Sequence, residues 1–213
     1  MKKPGQDHII RSETELRKLY KQPGKNAIEK ELDFLDQHCK RFIAHSPFIC
    51  IATSSPDGFG DNSPKGDAPG FVRVLDDRTI AIPDRRGNNR LDSLGNVLKN
   101  PRVGLIFFIP GVNETLRVNG KAELSIEPEL LQGSAVNNKL PTSMLIVHVE
   151  EAYLQCPKAL VRSSIWEVAA DFDRKSFPSL TKMISDQMGV ELSKDQLTQM
   201  EAEYEKKIED TLY

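Results

Sequence analysis

Hydrophobic and polar positions recur at two different periods along this chain, and the switch between them outlines its elements. Near the start, Glu13 to Tyr20 reads as a short helix ended by Gln22-Pro23-Gly24-Lys25. Ile28, Leu32, Leu35, Cys39 and Phe42 then fall at three- and four-residue steps. That spacing predicts one amphipathic helix, stopping near Ser46-Pro47, where a residue before proline disfavours further α geometry. From Phe48 the pattern changes. Phe48 to Thr53 predicts an apolar strand, with Ser55-Pro56-Asp57-Gly58 as the turn of its hairpin. Phe71-Val72-Arg73-Val74-Leu75 and Thr79-Ile80-Ala81-Ile82-Pro83 predict two strands joined by Asp76-Asp77-Arg78. Arg102 to Ile109 is nearly continuous in apolar residues and predicts a buried strand. Thr115 to Ser125 and Met144 to Leu154 add two strands of period-two character. Five or more strands with few helices favour a closed or half-closed antiparallel barrel.

The last fifty residues return to the helical period. Leu180, Met183, Ile184 and Met188 form one stripe closed by Gly189. Ser193-Lys194-Asp195-Gln196 is a capping box, opening a helix with Leu197, Met200, Tyr204 and Ile208 on one face. These stripes are expected to pack on the barrel or on a second subunit. There is no internal repeat and no low-complexity segment.

One stretch stands apart. Asp84-Arg85-Arg86-Gly87-Asn88-Asn89-Arg90 leads into an apolar helical series, Leu91, Leu94 and Leu98, with Asn88 or Asn89 as a natural N-cap. Three arginines at a helix N-terminus oppose its dipole, and a bound anion would reverse that sign. A solvated turn with incidental arginines accounts for the local pattern equally well.

Composition narrows the class. A chain of 213 residues suits one core with an appendage, and 38% hydrophobic with 28% charged residues is ordinary for a globular protein. No apolar run approaches a membrane span, and the start, MKKPGQDHII, lacks the apolar core of a signal peptide. Cys39, Cys50 and Cys156 are odd in number and widely spaced, which argues against a disulfide framework and for a cytoplasmic setting. With 29 basic and 31 acidic residues, the chain is not a general nucleic-acid binder. The charge is uneven: Glu167 to Tyr213 holds 11 acidic and 6 basic residues, leaving 20 acidic and 23 basic in the remainder. A mildly basic body suits an anionic small ligand. His8, His38, His45 and His148 show no metal-ligand spacing. There is no dinucleotide fingerprint, Walker loop or serine nucleophile elbow.

Six phrases in order carry a resemblance. They are Ser63-Pro64-Lys65-Gly66-Asp67, Gly70 to Asp76, Ile82-Pro83-Asp84-Arg85, Gly87 to Ser93, Asn100 to Leu105 and Asn113 to Gly120. Across Phe48 to Trp166 the chain resembles the pyridoxamine 5'-phosphate oxidase-like split β-barrel proteins, and within them a flavin-nucleotide-binding branch of unknown substrate. The resemblance implies a mainly β fold with flanking helices, an antiparallel FMN-binding split β-barrel at 47–166. A helical segment at 1–46 packs on the barrel, and an acidic helical extension occupies 167–213. It implies bound FMN in a homodimer, with the flavin at the interface.

The resemblance also implies site residues. Lys65, Arg73, Arg85, Asn88, Asn89 and Arg90 would hold the phosphate, and the backbone at Ile82 and Pro83 would meet the flavin's pyrimidine edge. Thr115 and Arg117 would reach the flavin from the second subunit. Lys158, Arg162 and Ser163, in a Cys-x-Lys-Ala-x-x-Arg-Ser pattern, would close the barrel near it. Pro157 at a first helical position places Lys158 and Arg162 on one face, which Trp166 continues. Trp166 itself suits core, interface or flavin contact.

No catalytic residue is identified. The Arg-x-His element of pyridoxamine phosphate oxidases is not found after Trp166, and an acidic layer there disfavours anionic substrates and governs access. The expected function is an FMN-dependent oxidoreductase of unknown small-molecule substrate, with NAD(P)H as a possible donor. The alternative is a flavin-binding or carrier protein without turnover.

Overall fold

The computed structural model describes residue 5 and residues 8–213, and the backbone alone at 169–171. Residues 1–4, 6 and 7 of the start MKKPGQDHII, and with them most of the stretch that bears on a leader, lie outside the described residues. Among the described residues seven strands form one antiparallel sheet. They are β1 (Phe48–Ser54), β2 (Gly60–Gly66), β3 (Arg73–Asp76), β4 (Thr79–Asp84), β5 (Arg102–Phe108), β6 (Thr115–Ser125) and β7 (Ser143–Gln155). Their order is β2-β1-β5-β6-β7-β4-β3.

The ladder registers show how the sheet curls. Lys65 pairs with Ile49, Ile49 with Phe107, Phe107 with Leu116, and Leu116 with Leu154. From the other side, Asp84 pairs with Ser143. Yet Lys65 Nζ lies 2.8 Å from Asp84 Oδ1. One strand, β7, is therefore met by the same point of β2 at Leu154 through the ladders and at Ser143 across a gap, eleven residues apart. Such an offset is the stagger that closing a sheet into a barrel requires. Side chains span the gap between β2 and β4. This is a split barrel.

The interior is apolar because alternate residues point inward. Ile49, Ile51, Ile80, Ile82, Leu105, Phe107, Leu116, Val118, Leu145 and Val147 are all 0–2% exposed and form one cluster. On the outer face of β4 and β7, Ala81, Met144 and Ile146 pack under Leu130 and Leu131 of the short helix α5 (Pro128–Gln132). Opposite Asn119 and Gly120 of β6, β7 carries one extra residue, Glu150, and bulges. A Cβ on Gly120 would come within 2.0 Å of the His148 carbonyl oxygen, so only glycine fits.

The N-terminal stripe folds differently from expectation. It is split between α1 (Glu13–Leu19), α2 (Lys25–Glu29) and α3 (Gln37–His45). Between α2 and α3, Leu32 exchanges backbone bonds with Ala152, extending the sheet by one bridge. Asp36 then caps α3 through a bond from the Cys39 N–H at 2.8 Å. Leu35, Cys39, Phe42 and Ile43 plug the barrel's interior, whereas α1 and α2 bury nothing. Burial pushes the Cys39 thiol up to about 12, so it is a neutral core filler.

β2, Gly60–Gly66, is the return strand of the expected hairpin and carries no apolar alternation. Two further expectations change. β3 starts at Arg73 rather than Phe71. The helix after the basic loop, α4 (Asp92–Val97), is capped by neither asparagine: its N-cap is Leu91 at φ 60°, with no side-chain bond. Its buried residues are Ser93 and Val97, while Leu91 and Leu98 are exposed. Polar bonds explain that orientation. Ser93 Oγ donates to Asp61 at 2.6 Å, Asn96 to Thr53 at 3.1 Å and Asn100 to Ser54 at 2.9 Å, clamping α4 to the β1–β2 hairpin.

Past the barrel come α6 (Lys158–Ser163), α7 (Ile165–Asp171), α8 (Leu180–Gln187) and α9 (Lys194–Asp210). Ser193 forms the expected capping box with Gln196. α8 and α9 pack on each other, and Leu180, Ile184, Met200, Tyr204 and Ile208 stay 40–44% exposed. The tail therefore does not bury its stripes on the barrel. At its far end Tyr213 bonds Asp67 of the barrel.

Candidate functional site: the barrel seam and the β6–β7 end

Where β2 meets β4, two ion pairs cross the gap. Lys65 and Asp84 extend from the inward-facing rows, with side chains 18% and 15% exposed. Just beyond, Arg85 Nε donates to Asp67 Oδ2 at 2.8 Å, with Asp67 only 2% exposed. Asp67 Oδ1 also accepts from the Ala68 N–H at 2.7 Å and from the Tyr213 hydroxyl at 2.8 Å. Burial works to raise the Asp67 pKa, but the bonds from Tyr213, Ala68 and Arg85 outweigh it and hold the carboxyl below its ordinary range. The Tyr213 ring covers the Arg85 guanidinium at 5.6 Å, and Lys139 Nζ donates to the Tyr213 carbonyl oxygen at 2.8 Å.

The other residues expected around a phosphate sit nearby in sequence with unlike surroundings. Arg90 Nε bonds Asp92 at 2.7 Å, which raises the arginine's pKa. Asn88 Oδ1 accepts from the Arg90 N–H, and Asn89 adopts φ 59°, so both shape the loop. Arg73 lies beside Ala81 on β4, and its guanidinium packs against Gly133 so closely that a Cβ there would meet Nη1 at 2.5 Å. Among the described residues Arg73 has no carboxylate partner, its one bond being a long 3.5 Å to the Leu130 carbonyl. The next residue after Gly133, Ser134, is buried with its Oγ unpartnered among the described residues. Ile82 and Pro83 are buried in β4, opposite Leu145 and Met144 of β7. β3 pairs β4 only as far as Ala81, so the β3-side edge of Ile82 to Asp84 extends beyond that ladder.

A second group lies at the other end of β6 and β7. Thr115 is buried opposite Gln155, and Arg117 lies over the Tyr153 ring at 5.4 Å, with Lys30 also 5.4 Å from that ring. α6 begins after Pro157, its N-cap, and carries Lys158 and Arg162, both exposed. Ser163 Oγ donates back to the Leu160 carbonyl. Ser164 at φ 47° then ends α6, so Trp166 belongs to α7 and does not continue the Lys158–Arg162 face. Trp166 Nε1 instead donates to the Val112 carbonyl at 3.1 Å. The ladders put three strand steps between Lys65 and the Leu116 row, roughly 14 Å along the sheet. One chain does not bring the two groups into contact.

Sequence reasoning missed Asp67, Asp84, Ser134, Lys139 and Tyr213 as members of the site. The acids were signalled: each sits within two residues of a cation singled out above, Lys65-x-Asp67 and Asp84-Arg85. Ser134, Lys139 and Tyr213 carry no local pattern. A groove of about 390 Å³ on the outer face, floored by Gly104 and Gly120 and edged by Glu150 and Glu151, is acidic and unsuited to phosphate. Among the described residues no helix is long and apolar enough to cross a membrane, and no cluster of His, Cys, Asp and Glu is placed to hold a metal.

The ladders and the side-chain seam define the class: an antiparallel split barrel with flanking helices. A family model described as pyridoxamine 5'-phosphate oxidase matches residues 35–156, more than half of the chain, and the chain belongs to that family. A comparison with curated proteins finds no match. Solved structures similar to it include HupZ of Group A Streptococcus (20% identity, 56% of this chain and 92% of that one, TM-score 0.46). A putative pyridoxamine 5'-phosphate oxidase of Lactobacillus delbrueckii (18%, 58% and 98%, 0.47) is another. So is General Stress Protein 26 of Bacillus anthracis (13%, 55% and 94%, 0.41). The assignment rests on the family model rather than on these likenesses.

Proposed function

We propose that this chain is a flavoprotein that binds FMN across a homodimer and uses it as an oxidoreductase on a small molecule. The family is one of flavin-binding, commonly dimeric proteins. The observation that carries the reading is Arg73, a half-buried guanidinium with no carboxylate partner among the described residues. An unmatched, partly buried cation is costly, and a phosphate meets it. The residues fit FMN in part. Arg73 would hold its phosphate with Arg86, Asn88 and Asn89 at the rim, and Arg85, which gives only Nε to Asp67, would reach it from the seam. Lys65 and Arg90 are already matched by acids, so their role is to shape the site unless those pairs exchange.

Bound FMN would supply hydride or single-electron transfer, and the protein would supply orientation and exclusion of water. The backbone edge of Ile82 to Asp84 beyond β3 would meet the polar rim of the ring. Thr115, Arg117, Lys158, Arg162 and Ser163 would come from the partner copy, because one chain holds them apart from the seam. The reading also takes 1–46, 47–166 and 167–213 as supporting segment, cofactor barrel and access-controlling extension in a cytoplasmic protein. NAD(P)H would serve as donor.

The test is the absorbance spectrum of the purified protein, followed by reconstitution with FMN, FAD and riboflavin and light scattering of the product. A yellow dimer that releases FMN on heating, then oxidises NADH or NADPH, supports it. A colourless protein that takes up none of the three overturns it. Arg73→Ala should weaken FMN by about 1.5–3 kcal/mol, the range for charged hydrogen bonds, and riboflavin much less.

A further inference from the structure

We propose that Tyr213 is an internal latch over the barrel seam, competing with an anionic ligand for Arg85 and Lys139; this rests on the FMN reading above. Three separate segments converge on this one residue. Its hydroxyl donates to Asp67 after β2, its ring lies over Arg85 after β4, and its carbonyl accepts from Lys139 before β7. The intervening α8 and α9 leave their apolar stripes exposed, so Tyr213 holds the far end of the tail in place of a broad packed face.

The chemistry makes docking and anion binding exclusive. Arg85 spends Nε on Asp67, and among the described residues its remaining N–H groups have no hydrogen-bond partner. The Tyr213 ring occupies the guanidinium face by which another group would approach. Undocking bares that face and frees the Lys139 ammonium at the same place, leaving two cations with unused donors where Tyr213 had covered them. A phosphate monoester gains there, while a ligand without phosphate does not. A site available only while the latch is open has its apparent affinity reduced by the fraction of molecules in that state.

The experiment uses the full chain with Tyr213→Ala, which removes ring and hydroxyl, and Tyr213→Phe, which keeps the ring. Flavin fluorescence titration with FMN and riboflavin gives the affinities. The expected result is FMN binding about tenfold tighter in Tyr213→Ala, an intermediate gain in Tyr213→Phe, and riboflavin nearly unchanged. Unchanged or weaker FMN binding in Tyr213→Ala overturns the latch and leaves the flavin reading standing. If no form binds FMN, that reading fails, and the latch is judged by a second measurement. The Asp67 bond holds the Tyr213 phenol above its ordinary pKa. The tyrosinate absorbance of wild type minus Tyr213→Phe should therefore titrate late, and inorganic phosphate should bring it back down. An ordinary midpoint, or one indifferent to phosphate, overturns the latch.

Discussion

The barrel and the tail carry apolar residues at equally regular spacings, yet they do opposite things with them. Inside the barrel, Ile49, Phe107, Leu116 and Val118 are fully buried because seven strands curl one face onto itself. In the tail, Leu180, Ile184, Met200 and Ile208 keep more than two-fifths of their surface exposed because two helices give each other only one side. Periodicity announces that a face needs cover. It does not say whether the chain itself provides it.

The contrast is sharpest for single substitutions. Phe107→Ala should cost about 3–5 kcal/mol, the loss of a buried aromatic plus the cavity left behind, seen as a lower midpoint in urea. A midpoint shift as small as that of a surface change would mean the barrel interior is not the stabilising unit. The seam comes next. Asp67→Asn leaves Arg85 without its buried partner and should cost about 3 kcal/mol.

A related effect is read against pH. Because the folded Asp67 carboxyl titrates below its unfolded value, its contribution is present above the unfolded pKa and is lost as pH falls through the folded one. The difference in stability between wild type and Asp67→Asn should therefore shrink on acidification. A constant difference would show that the charge is not what matters. Smaller again, Ser193→Ala removes the capping-box bond from the Gln196 N–H to Ser193 Oγ and should cost about 1 kcal/mol within α9, measured by amide exchange of that helix. Smallest of all, Met200→Ala should change global unfolding by about 0.5 kcal/mol or less in the monomer. A loss several times larger would reveal that the exposed stripe is covered in solution.

How much could be read beforehand follows the same division. β1, β4, β5, β6 and β7 were legible because inward and outward residues alternate or run continuously apolar. β2 was not, since GDNSPKG owes its strand geometry to pairing with β1 and not to its own residues. The stripe from Ile28 to Phe42 suggested one helix because its spacing is faultless, and the Leu32–Ala152 bridge, a tertiary event, broke it. In the site the cations were legible and their surroundings were not. Lys65 and Arg85 meet acids 19 and 18 positions away, and Asp67 meets Tyr213 across 146. Two phrases that carried the resemblance also serve folding: Ser93 and Asn100 end and begin them, and with Asn96 they fasten α4 to the hairpin.

A sheet whose seam is spanned by side chains still has two edge strands, and an exposed edge is a template on which another chain can add a strand. Here both are blunted. β3 is only four residues long, too short to seed a stable ladder, and β2 carries Pro64, which has no N–H to offer, among Asp61 and Lys65. The polar, glycine-bounded sequence that hid β2 from its period is thus a safeguard against aggregation, keeping the split barrel from growing into a fibre.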